Sequence, residues 1–150
     1  MALLVLTALF SACQDNTKIK EENKLDTNDT SNVSLNKACY QFVKDRDTIS
    51  LTVQQMGKAL SGDLSYRFYE KDKSSGKVSG KLIGDTLLMN YMFNAEGTSS
   101  IRQVAFLKKG NKLIEGYGDV EERNGSFVFK DIKGLNFNED GTVLEKIDCK

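Results

Sequence analysis

The chain reads as all-β, an antiparallel up-and-down meander that closes into a small barrel of eight or nine strands. Three observations predict this. From Cys39 onward, apolar residues recur with a period of two. Residues that tolerate positive φ interrupt that pattern at short intervals. No proline occurs in the 150 residues, so every backbone N–H stays available for strand pairing.

The elements follow in order. Tyr40 and Phe42 open the alternation, and Ile49, Leu51 and Val53 continue it. Leu60, Leu64, Tyr66 and Phe68 share one face of a third strand, with Ser61, Asp63, Ser65 and Arg67 on the other. Val78, Gly80 and Leu82 mark a fourth, and Leu87, Met89, Tyr91 and Phe93 a fifth. Two denser strands cover 101–107 and 113–120, Phe127 and Phe129 form a short one, and 143–149 closes the chain. Ser75-Gly76, Gly84-Asp85, Lys109-Gly110-Asn111, Asn124-Gly125 and Asp140-Gly141 supply the turns. Sequential strands joined by tight turns usually pair with their neighbours, hence the meander. Gly62, Gly80, Gly116 and Gly118 fall inside strands, where glycine commonly marks the bends of a tightly curled barrel. A two-layer sandwich is the competing architecture.

Ahead of these strands the composition changes twice. Residues 2–12 are uncharged and mostly apolar, and at about 1.5 Å per residue such a helix falls well short of a ~30 Å hydrocarbon core. An ordinary signal-peptidase cut before Cys13 would place bulky Phe10 at −3. Phe10-Ser11-Ala12-Cys13 instead resembles the lipobox of a bacterial lipoprotein, with Phe10 in place of the usual Leu. The resemblance implies removal of residues 1–12 and a lipid-modified Cys13 at the new N-terminus. It also implies anchoring by two or more acyl chains, which holds a protein on a bilayer stably where one does not. Gln14 is not the Asp that retains many such proteins at the inner membrane, which points to the outer membrane with the leaflet open. No Lys or Arg precedes the apolar run, so the true start is expected upstream of Met1. A buried core helix is the alternative, and the stretch that follows offers it little apolar surface.

Residues 13–38 are nearly all polar and read as a flexible tether, since they cannot bury enough apolar surface to offset the entropy of ordering. The domain is then 39–150. Acidic and basic residues balance at 21 each with no basic run, so nothing favours nucleic acid as a partner. With Cys13 assigned to lipid, Cys39 and Cys149 remain at the two ends of the domain. In an oxidising compartment they are expected to pair, tying first strand to last; two unpaired buried thiols are the alternative.

The absence of histidine removes His-based triads and His–metal ligation, and no spacing resembles a P-loop or a nucleophile elbow. No cofactor or metal is expected. The run 136–141 mimics the start of an EF-hand loop, but position twelve is Ile147 where a bidentate Glu is needed, and a turn is the better reading. Glu96, Arg102, Glu115 and Tyr117 are different, because they interrupt otherwise apolar strands. Glu115 alternates with Leu113 and Tyr117; if that face points inward, the carboxylate needs a partner, and Arg102 is the obvious candidate. The group is either the polar anchor of a ligand pocket or a salt bridge that sets strand register. Read as a two-carboxylate dyad, Glu96 and Glu115 would make a glycan hydrolase, the least favoured option.

Gly84-Asp85-Thr86-Leu87, Glu96-Gly97, residues 101–106 and Glu115-Gly116-Tyr117-Gly118, with the terminal cysteines, resemble the small Bacteroidota lipoproteins that carry lipocalin-like or calycin-like β-barrels. No activity comes with the resemblance, and the Gly-x-Trp signature of lipocalins proper is missing, as the chain has no tryptophan. The expectation is a membrane-anchored, non-enzymatic binding module for a small apolar ligand inside the barrel. The alternative is a structural lipoprotein with a filled core and an external protein or glycan partner.

Overall fold

The computed structural model describes residues 36–71, 73–95 and 97–150. Cys13, the apolar opening and residues 13–35 of the predicted tether lie outside the described residues. The strands are β1 (Asn36–Lys44), β2 (Asp47–Met56), β3 (Ala59–Arg67), β4 (Lys73–Ile83), β5 (Thr86–Ala95) and β6 (Thr98–Lys109). They continue as β7 (Lys112–Tyr117), β8 (Val120–Arg123), β9 (Ser126–Phe129), β10 (Asn136–Phe137) and β11 (Val143–Ile147). β1 begins ahead of Cys39: Asn36, Lys37 and Ala38, which the composition leaves in the tether, pair with Gln55, Gln54 and Val53.

β1 to β7 pair consecutively and antiparallel, and β11 pairs with both β7 and β1, so eight strands close into a barrel. The meander and the closure are as predicted. Cys39 and Cys149 form a disulfide with their Cα atoms 5.3 Å apart, beside the β1–β11 register pair Cys39 and Ile147. The two-residue turns Asp45-Arg46, Gly57-Lys58, Gly84-Asp85, Gly110-Asn111 and Asn124-Gly125 each contain positive φ, which gives hairpins the twist their strands need.

Further expectations are corrected. Ser75-Gly76 is not a turn but lies within β4, and β3 is linked to β4 through the segment that begins at Phe68. Glycine serves there for close approach: a Cβ on Gly76 would sit 1.9 Å from the Met92 carbonyl oxygen on β5. The predicted strand 113–120 ends at Tyr117, and Val120 starts a separate strand. β10 is an additional element, and β10 and β11 lie along the same edge of β7 as one interrupted strand. Between them Asn138 accepts from the Asp140 and Gly141 amides, so the EF-hand-like run is a turn.

The inward faces supply one core. Tyr40, Ile49, Leu51, Leu64, Met89, Phe106, Leu113 and Leu144 are among its buried members, and side chains fill this part of the barrel. A second, smaller cluster sits on the opposite face of β5 and β6, where Leu88 and Ala105 are covered by Leu135, Phe129 and Phe137. Phe137 lies against Gly116, where a Cβ would stand 2.4 Å from its ring. Residues 129–137 therefore wrap the outside of the barrel near β7.

Candidate functional site

β6 is longer than its partner. β7 stays in register with it only from Lys109↔Lys112 to Ala105↔Gly116, so the first half of β6 has no β7 neighbour. The β8–β9 hairpin enters the gap: Ile101 and Arg102 pair in parallel with Ser126 and Phe127 of β9. Gln103 Oε1 accepts from the Phe129 amide at 3.0 Å, and Lys130 N donates to the Asp119 carbonyl at 2.9 Å. The seam between β6 and β7 is thus held open at one end and lined by the hairpin.

A cavity of about 440 Å³ lies in this seam. Phe93, Val104, Val120, Phe127 and Phe129 supply apolar wall, and Ser100, Arg102, Gln103, Glu115 and Tyr117 are its polar members. Tyr117, Val120 and Phe127 are each about half exposed, so the mouth of the cavity carries an apolar rim.

Glu115 is the buried charged residue of this region. Its register partner is Phe106, which places its side chain on the inward face with Leu113. Tyr66 donates its phenol to Oε1 at 2.6 Å, and Tyr117 donates to Oε2 at 2.8 Å. The Tyr117 hydroxyl also lies 3.0 Å from Thr142 Oγ1. Burial, reinforced by the Glu115 charge and hydrogen bond, holds the Tyr66 phenol well above its ordinary range. Tyr117 is pushed up to about 12, first by desolvation, with Glu115 adding to it and the Thr142 contact opposing.

Arg102 does not form the expected ion pair with Glu115, since no carboxylate oxygen lies within 4.0 Å of it among the described residues. Its guanidinium sits among aromatic faces instead, 4.9 Å from the Tyr66 ring centre, 5.4 Å from Phe93 and 5.6 Å from Tyr91. Tyr91 is its register partner on β5 and stacks on Phe93 at 4.8 Å. Arg102 Nε is buried without a hydrogen-bond partner. The structure therefore brings Arg102, Glu115 and Tyr117 to one cavity, while Glu96 lies outside the described residues.

Tyr66, Tyr91 and Phe93 belong to the site but read in the sequence as ordinary core. A signal existed: a tyrosine at an inward strand position needs a partner for its hydroxyl, so Tyr66 and Tyr91 pointed to polar groups within the barrel. Among the described residues, no cluster of His, Cys, Asp and Glu is placed to hold a metal ion. No protein-family model matches the chain, and neither the curated proteins nor the solved structures give a match.

Proposed function

We propose that this chain is a non-enzymatic binding module of the cell envelope, lipid-anchored through Cys13, with a small and largely apolar ligand held in its seam cavity. The observation that carries the reading is the cavity itself. At about 440 Å³ it falls within the usual range for small-molecule pockets, apolar walls surround a few convergent polar groups, and its aromatic rim faces solvent. Because side chains pack the core, this reading takes the seam as the ligand's place instead of the barrel axis that the sequence suggested.

The packed core also favours a second reading, a structural lipoprotein that docks a protein or glycan partner outside. Native mass spectrometry of the protein purified from its own host separates the two. The binding-module reading expects a retained small molecule that is lost when Val104→Trp fills the cavity. A ligand-free chain that co-purifies with a macromolecule would favour the second. Anchoring is tested in the same preparation, where Cys13 is expected to carry lipid; an unmodified Cys13 would overturn it.

A further inference from the structure

The polar groups that line the seam cavity differ in how far they are already committed. Each Glu115 oxygen accepts from a phenol, Tyr66 or Tyr117, Tyr117 also contacts Thr142, and Gln103 Oε1 holds β9 in place. Arg102 is the exception. Its contacts are aromatic faces, its Nε has no acceptor, and no ion pair or hydrogen bond engages it among the described residues. A guanidinium has five N–H donors and keeps its charge at any physiological pH, so leaving it without an acceptor in a partly desolvated site is costly. Glu115, the one anionic residue of this wall among the described residues, gives its oxygens to two phenols and forms no ion pair with Arg102. Ser100, two residues before Arg102 on the same face of β6, adds a hydroxyl to the same wall.

We infer that Arg102 is the anchor for an anionic group, and that the ligand of the seam cavity is a monocarboxylate with an apolar, preferably aromatic, body. One guanidinium and one hydroxyl match one carboxylate. A phosphate dianion would bring one more negative charge than a carboxylate into a site that already contains Glu115. The three rings around Arg102 fix the guanidinium in place, which reduces the ordering cost of binding. Phe93, Phe127 and Phe129 meanwhile offer faces on which an apolar body packs.

This inference rests on the binding-module reading, and the test separates the failure of one from the failure of the other. The full chain in lipid nanodiscs is titrated calorimetrically with phenylbutyrate, phenylbutanol and phenylbutylamine, which share one apolar body. The carboxylate is expected to bind about tenfold or more tighter than the alcohol, the difference a charge-assisted hydrogen bond supplies. Arg102→Met should bring its affinity down to that of the alcohol, and Ser100→Ala should weaken it by a smaller factor. The comparison of probes on the unmodified chain needs no variant to fold. Equal binding of carboxylate and alcohol, or a preference for the amine, would overturn the anionic anchor and leave the cavity reading standing. No binding by any of the three would overturn both.

Discussion

Glu115 and Arg102 sit at the same cavity, yet the surrounding residues treat them differently. The carboxylate takes one phenol on each oxygen, whereas the guanidinium is packed among rings. The two phenols are not equivalent, because Tyr66 is buried and Tyr117 is half exposed. Tyr66→Phe strands Glu115 Oε1 where water has little access, and we expect a loss of about 1–3 kcal/mol in urea unfolding. Tyr117→Phe should cost less, since solvent can replace the lost donor. Tyr117 also sets a pH dependence. Its folded pKa of about 12 exceeds the ordinary phenol value of 10.0, so the folded state holds its proton more tightly than the unfolded one. The resulting stabilisation is complete below pH 10 and is lost as pH rises toward 12. Thermal melts should show that decline, with a shallower slope in Tyr117→Phe.

Among the elements, the strand glycines separate into two kinds. Gly62, Gly76 and Gly80 face the backbone of a neighbouring strand, where an added Cβ would lie 1.9 to 2.1 Å from a carbonyl oxygen. Gly116 faces a side chain, the Phe137 ring. Gly76→Ala and Gly116→Ala should both destabilise, by about 1–3 kcal/mol or more, as overpacking does. Only the second has a neighbour that can be trimmed. Phe137→Ala should therefore reduce the penalty of Gly116→Ala and leave that of Gly76→Ala unchanged, a difference that a double-mutant cycle measures. The surface ion pairs are of less account. Lys112–Glu145 joins register partners on β7 and β11 at 2.9 Å, but both side chains are more than half exposed, and such pairs contribute little.

At the scale of the whole molecule, barrel closure depends on β11. It adds three register pairs to β1 and three to β7, and Leu144 is its fully buried member. The Cys39–Cys149 disulfide spans a sequence separation of 110 residues at this closure. For a loop of about that size, the entropy removed from the unfolded chain corresponds to roughly 4–5 kcal/mol. Cys39→Ser/Cys149→Ser should unfold at lower urea by an amount in the range of about 2–5 kcal/mol, with its far-ultraviolet β signature retained. Loss of that signature without denaturant would mean that β11 docks only when tethered.

Much of the barrel was written in local pattern. Period-two alternation placed the inward residues from Tyr40 to Phe93, because a strand turns successive side chains to opposite faces. Asn124-Gly125 and Gly84-Asp85 marked real turns, since few residues accept positive φ. The terminal cysteines correctly foretold which strands meet. Local pattern failed where a residue's role is set by a neighbour distant in sequence. Gly76 has the composition of a turn but answers to the backbone of β5, and Gly116 answers to Phe137. The sequence also brought Arg102, Glu115 and Tyr117 into one group by polarity alone, and the fold keeps them together at the seam. It could not assign their partners, because opposite charge suggests an ion pair while the register sets Arg102 beside Tyr91 and Glu115 beside Phe106. By itself, then, the sequence determined most of the strands, the inward faces of the first five and the closure, all consequences of backbone geometry repeated along the chain. Only the tertiary structure decided that β7 stops short of β6. That mismatch in length opens the cavity, and which rings and hydroxyls then surround each charge follows from it.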